Sequence, residues 1–211
     1  MKIIDLSHKF SVDDMVFPGT QGMSYTKTHT IEKDSYNLGI ARINSHAGTH
    51  TDAPYHFIPN GKKLGEVDLN IYVGPAVAID CRNKKELSLI NVSDIKPYEE
   101  EIIKKKRVLI CTNWYKQVNT EAFYTEYPAI TVELADYLIS LGVILIGVEG
   151  PSLSESKGME VHQHLLGKEI AIIESMKNLD QLLGKEFILC SAPLAFMEAD
   201  GFPIRAYALI N

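Results

Sequence analysis

Between residues 108 and 190 the sequence repeats one pattern: a short continuous apolar run, a helical stretch closed by glycine, then another apolar run. Residues 108–112 form the first run. Thr131 then caps a helix whose Leu134, Tyr137, Leu138 and Leu141 share one face, and Gly142 ends it before the run at 143–148. A short helix over 159–166 stops at Gly167 and leads to the run at 170–173. Leu179, Leu182 and Leu183 mark another short helix, ended by Gly184, ahead of the run at 187–190. Such alternation predicts crossover units and an α/β domain with a largely parallel sheet. Residues 2–80 read differently, as short apolar runs broken by turn signals at Phe17-Pro18-Gly19, Pro59-Asn60-Gly61 and Gly74-Pro75, with strands expected at 39–44 and 76–80. No repeat, low-complexity tract or linker divides the chain, so a single domain over 1–211 is expected. Ligands of open parallel sheets gather beyond the carboxyl ends of the strands. Here those ends deliver Trp114, Glu149 and Glu174.

The net charge of -6 argues against a nucleic-acid partner. The basic run Lys104-Lys105-Lys106-Arg107 follows Glu99-Glu100-Glu101, and the two together read as a helix with acids first and bases last, matched to its macrodipole. Cys81, Cys111 and Cys190 are scattered and odd in number, as expected of small buried hydrophobes in a reducing compartment. No opening signal segment and no apolar run of the roughly 18 residues needed to cross a bilayer is present, so a cytoplasmic protein without a membrane partner is expected.

The most informative stretch is His46-Ala47-Gly48-Thr49-His50-Thr51-Asp52-Ala53-Pro54-Tyr55-His56. Its three histidines and aspartate fall at even offsets, which a straight strand would place on one face. But a straight strand would hold His46 and His50 about 13 Å apart. Two ligands of one metal bind at about 2.0–2.1 Å each and cannot be separated like that. A helix is disfavoured by Gly48 and Pro54. A bent loop reconciles these demands: Gly48 folds the chain so that His46, His50 and Asp52 converge, and Pro54 sends His56 off at a fixed angle. Two imidazoles and a carboxylate suit Zn, and also Mn or Fe(II), and leave open positions at which water can be activated. The competing reading is a histidine-rich surface loop that binds nothing.

A second cluster is Val161-His162-Gln163-His164. On a helix, His162 and His164 point in different directions and cannot both serve one site. Either could be an ordinary exposed residue. Glu174, at the end of a buried run, demands a cation, a donor or a proton, because an unpaired carboxylate there is costly.

The stretch 46–56 resembles the HxGTHxDxPxH signature of the putative cyclase family, which includes bacterial kynurenine formamidases (arylformamidases), isatin hydrolases and cyclase-like proteins of polyketide clusters. Asp5-Leu6-Ser7-His8 is similar to the family's opening strand, Phe17-Pro18-Gly19 to its turn near the substrate, and His162-Gln163-His164-Leu165-Leu166 with Glu174 to its distal element. The resemblance implies a swivelling β/β/α fold with a mixed, largely parallel sheet. It implies metal ligation by His46, His50 and Asp52, with Asp52 bridging to a second ion completed by His162 and Glu174, and His56 as the catalytic acid/base. Zn is the implied metal, one ion or two, with Mn an alternative. Homodimers or homotetramers whose sites borrow residues from a neighbour are implied as well.

Two positions depart from the pattern. Thr20 follows Pro18-Gly19 where formamidases commonly carry aspartate, and Glu149 stands where many relatives carry aspartate. The best single expectation is an arylformamidase of tryptophan catabolism, converting N-formylkynurenine to kynurenine and formate, with Phe17 and Trp114 against the substrate. Phe57, Tyr124 and Tyr127 are further candidate walls. The alternatives are a lactam or lactone hydrolase of the isatin type, a polyketide-type cyclase or dehydratase, and a metal-binding interaction protein without turnover. His8 and His29 are expected to be structural or surface residues.

Overall fold

A computed structural model describes residues 1–14, 16–155 and 158–210. Its centre is a six-stranded sheet in the order Gly201–Pro203, His50–Asp52, Ala171–Glu174, Leu145–Val148, Arg107–Cys111, Val77–Asp80. The last four strands in that order run parallel, and His50–Asp52 pairs antiparallel with both of its neighbours.

The apolar runs are continuous because this sheet is covered on both faces. Val108, Ile110, Ile146, Val148 and Ile172 point into one core, packed with residues of the helices Val132–Ser140 and Glu160–Leu166. Leu109, Cys111, Leu145, Ala171 and Ile173 alternate with them into a second core. That core is closed by a four-stranded antiparallel sheet, ordered Lys2–Asp5, Tyr207–Ile210, Ile188–Cys190, Val73–Pro75. The layers are therefore sheet, sheet and helices, the β/β/α arrangement. Gly147 sits where the second core is tightest: a Cβ there would lie 2.5 Å from Met176 Sδ and 2.7 Å from Leu109 Cδ2.

Thr131 caps Val132–Ser140 by accepting from the Leu134 amide, and Gly142, at φ 72°, lies two residues beyond the helix. The helix Glu99–Lys105 carries acids in its first turn and lysines in its last. Its basic tail is partly buried. Lys105 is buried between Glu101 and Glu186, and Arg107 belongs to the next strand, donating from Nε to the Ile71 carbonyl at 2.8 Å.

The strand expected at 187–190 lies in the small antiparallel sheet rather than the parallel one. The stretch before it, Leu179–Leu182, is a single 3-10 turn, too short to serve as the crossover that a parallel connection needs. The run expected at 39–44 is the strand Leu38–Arg42, paired with Ser24–His29 in a separate hairpin. No helix among the described residues is long and apolar enough to cross a membrane.

Candidate active site

The 46–56 stretch bends as its glycine and proline require. Gly48 has φ 60°, and the His46 and His50 ring centroids lie 5.0 Å apart. His50 and Asp52 then share one face of the strand His50–Asp52, and Pro54 opens the 3-10 turn Pro54–His56. From the neighbouring strand Glu174 joins them, and from the helix Glu160–Leu166 comes His162. All four of His50, Asp52, His162 and Glu174 are buried.

Two sets of ligand atoms converge within 4.8 Å: His46, Asp52 and His56 in one, and His50, Asp52 and Glu174 in the other. Asp52 is common to both. Its Oδ1 lies 2.9 Å from His46 Nδ1 and 3.5 Å from His50 Nε2. Its Oδ2 lies 3.8 Å from His162 Nε2, which is itself 3.1 Å from Glu174 Oε1. His162 Nδ1 is held by the Ser154 hydroxyl at 2.6 Å, and its ring stacks on Phe57 with centroids 4.6 Å apart.

The hydrogen bonds leave a shortage of positive charge. His50 Nδ1 donates to the Gly48 carbonyl at 2.9 Å, so Nε2 is a lone pair when the ring is neutral. That lone pair faces carboxylate oxygens of Asp52 and Glu174, at 3.5 and 3.4 Å. His50 Nε2 and Asp52 Oδ2 are buried without any hydrogen-bond partner. Acceptors aimed at acceptors in a buried place are costly unless a cation or proton stands between them. The ionisation of the group shows how strongly its carboxylates call for positive charge. Burial opposes charge on His46, yet hydrogen bonds from its ring to Asp200 and Asp52 hold its pKa up at about 10. Burial alone would raise the Asp52 carboxyl, but His46 and then His50 hold it well below the usual carboxylate range. Glu174, despite burial and the nearby Asp52 charge, is lowered by His162 and His50. The residues present therefore fit a divalent cation: imidazole and carboxylate donors, pre-oriented through Gly48 and Ser154.

The group opens into two adjoining hollows, both lined by Phe17, His46, His50 and Pro151. His56 and Phe57 line one, and Phe10, Phe123 and Tyr124 the other. Phe17 meets Tyr124 edge to face, centroids 6.1 Å apart.

Trp114 is not brought to this cleft. It is 6% exposed, packed with Phe123 and Tyr127, and its indole N–H donates to the Phe123 carbonyl at 3.1 Å. The apolar ring is worth more in that satellite core than at a wet site, and its one polar atom is satisfied there. Glu149 is likewise not at a mouth: it is 0% exposed, and Oε2 accepts from the Thr112 amide at 2.8 Å. Burial pushes its carboxyl up to about 7. His164 turns outward to Asp136. His8 lines the same hollow as Phe10 and Phe123, and burial pulls its pKa down to about 4.

One residue of the site escapes sequence reading. Asp200 Oδ2 lies 2.9 Å from His46 Nε2 and 3.2 Å from His56 Nδ1. Its only sequence signal is an Asp-Gly pair, which reads as a turn.

A family model described as a putative cyclase matches residues 4–155. Among curated proteins, the kynurenine formamidase of Geobacillus thermodenitrificans is 35% identical over 206 residues, covering 96% of this chain and 95% of that protein. The kynurenine formamidase of Bacillus anthracis is 33% identical over 208 residues, covering 97% and 96%. Among solved structures, isatin hydrolase A from Labrenzia aggregata bound to benzyl benzoate gives a TM-score of 0.87 at 25% identity, covering 99% of this chain and 93% of that one. An isatin hydrolase bound to the product analogue thioisatinate also gives 0.87, at 24% identity, over 99% and 92%.

Proposed function

The chain belongs to the putative cyclase family, and from that premise we propose that it is a metal-dependent hydrolase of a non-peptide C–N bond, an arylformamidase whose substrate is N-formylkynurenine. The observation that carries this reading is the unpartnered pair His50 Nε2 and Asp52 Oδ2, buried beside Glu174 at the floor of an aromatic-lined cleft. The names of the curated relatives supply the substrate.

In this reading His46, His50 and Asp52 hold Zn, with Mn an alternative, and His162 and Glu174 complete a second position around Asp52. A divalent cation held there supplies Lewis acidity toward the formyl oxygen and the attacking water. Phe17 and Phe57 flank the aryl ring and exclude water from the cleft. His56 takes the proton of the attacking water and delivers it to the aniline nitrogen as the C–N bond breaks, releasing formate and the free amine. A formyl carbon carries only hydrogen, so it can reach a centre crowded by three side chains.

Opening of a cyclic amide of the isatin type is the second reading, favoured by the TM-score of 0.87 to an isatin hydrolase and by Thr20 in place of the formamidase aspartate. The deciding experiment measures turnover of N-formylkynurenine, formanilide and isatin on Zn- and Mn-reconstituted protein. Faster cleavage of the formamides is expected; inert formamides with isatin turned over would select the second reading. The proposal includes a cytoplasmic homodimer or homotetramer. Its support is the three free cysteines and the exposed Tyr25, Leu38 and Ile40 of the hairpin, and light scattering tests the oligomer.

A further inference from the structure

One oxygen of Asp200 reaches two imidazoles. Oδ2 is 2.9 Å from His46 Nε2 and 3.2 Å from His56 Nδ1, and the two rings stack with centroids 3.9 Å apart. An ionised carboxylate only accepts, so each of those nitrogens carries hydrogen. In a neutral ring the opposite nitrogen is then the lone pair. On His46 that is Nδ1, which faces Asp52 Oδ1 at 2.9 Å: the protonated ring donates to both carboxylates, and a metal at Nδ1 would take the place of that proton. His56 offers Nε2 to the cleft that its ring lines. A histidine free in water favours the reverse arrangement, with hydrogen on Nε2, so Asp200 inverts the ordinary preference of His56.

The backbone holds this arrangement in place. Ala53, fully buried between the two partners, donates its amide to the Asp200 carbonyl at 2.9 Å and accepts from the His56 amide at 2.9 Å. The strand Gly201–Pro203 then pairs with His50–Asp52, Gly201 opposite Asp52. A Cβ on Gly201 would lie 2.7 Å from His46 Cε1, so the chain runs directly beneath that ring. Asp200 is thus delivered by the same strand pairing that positions the metal ligands.

We propose that Asp200 is a positioning residue whose single carboxylate oxygen fixes the tautomers and ring planes of His46 and His56 together. Metal ligation and proton transfer are then set by one group from the far end of the chain. Such partners behind a ligating or proton-shuttling histidine fix which nitrogen faces the chemistry. The inference rests on the reading of His56 as the proton-transfer residue.

The test uses the full-length zinc-loaded protein labelled with ¹⁵N-histidine. Long-range ¹H–¹⁵N correlation should show His56 with hydrogen on Nδ1 in the wild type, and with hydrogen on Nε2 in Asp200→Ala. At saturating zinc the variant should still load fully, while its zinc affinity falls about 10–100-fold as His46 loses its partner. On N-formylkynurenine its kcat should fall about 10²–10³-fold, the scale of a mis-set acid/base, while KM stays within about threefold. At saturating zinc, Asp200→Ala combined with His56→Ala should be no slower than His56→Ala alone, because with the metal held only the role shared with His56 is lost. Asp200→Leu, close in size and unable to accept, carries the same readings where Asp200→Ala does not fold.

An unchanged His56 tautomer at full zinc loading overturns the proposal, as do losses that add in the double variant. At saturating zinc, metal lost in step with activity also overturns it, showing Asp200 to support ligation alone. If the wild type leaves N-formylkynurenine intact, the formamidase reading fails by itself, and the tautomer measurement still decides the role of Asp200.

Discussion

His50 and Glu174 stand directly opposite each other where His50–Asp52 pairs with Ala171–Glu174, and His50 Nε2 lies 3.4 Å from Glu174 Oε2. Cross-strand register, rather than a flexible loop, therefore sets their approach. A slip of one residue between the two strands would leave the two side chains on opposite faces of the sheet.

The first prediction follows from that pairing. Purified protein should carry at least one equivalent of a divalent transition metal, and His50→Ala should remove most of it. An ion held at a hundredfold over its Kd stabilises by about 2.7 kcal/mol, so chelation should lower the Tm by roughly 5–10 °C. If elemental analysis finds no metal, and added Zn or Mn neither binds nor raises the Tm, the metal centre does not exist.

His56 is the sharpest test of ligand against catalyst, because its Nδ1 is engaged by Asp200 while its ring lines the cleft. His56→Ala should keep its metal and its Tm while kcat falls about 10²–10⁴-fold. Metal lost in proportion to activity would make His56 a ligand instead.

Much of this site is legible in sequence because eleven consecutive residues carry four of its groups, and Gly48 and Pro54 announce the bend. Glu174 is legible because a carboxylate ending a buried run is costly unless partnered. Asp200 is not, since it stands 154 residues from His46 and only the pairing of Gly201–Pro203 with His50–Asp52 brings it near. The strand at 187–190 illustrates the same limit on the scale of the fold. Apolar periodicity shows that a strand is buried but not which sheet it joins, and the missing crossover helix decided that. Trp114 shows a related limit: strand ends gather both ligands and satellite cores, and composition does not separate them.

Glu149 predicts a pH effect on stability. Burial pushes its carboxyl up to about 7, against hydrogen bonds from Thr112 that lower it, from an ordinary value of 4.5. A folded-state pKa above the unfolded one means stability that is complete below about 4.5 and lost as pH rises through about 7, up to roughly 3 kcal/mol. Glu149→Gln can still accept from the Thr112 amide and carries no charge. It should match the wild type in Tm near pH 4.5 and exceed it at pH 8.5. An equal Tm difference at both pH values would refute the assignment.

The last prediction concerns how the cleft selects an aryl group. Phe17 lines both hollows and is braced edge to face by Tyr124 at 6.1 Å, while Phe57 lines the hollow of His56 and stacks on His162. A ring inserted between them gains about 0.5–1.5 kcal/mol per aromatic contact beyond simple burial. Formanilides should therefore be cleaved faster than aliphatic formamides of similar size. Phe17→Ala should narrow that ratio by about 2- to 12-fold, the same energy expressed as a rate. Trp114→Ala serves as the contrasting variant. Its ring is buried against Phe123 and Tyr127, so its loss should cost about 3–5 kcal/mol of stability and leave the ratio nearly unchanged. If instead Trp114→Ala shifts the ratio at full folding and Phe17→Ala does not, the aryl group lies elsewhere. If N-formylkynurenine and formanilide are both inert while a cyclic amide or lactone is opened, the aromatic walls serve a fused ring, and only the metal-hydrolase reading survives.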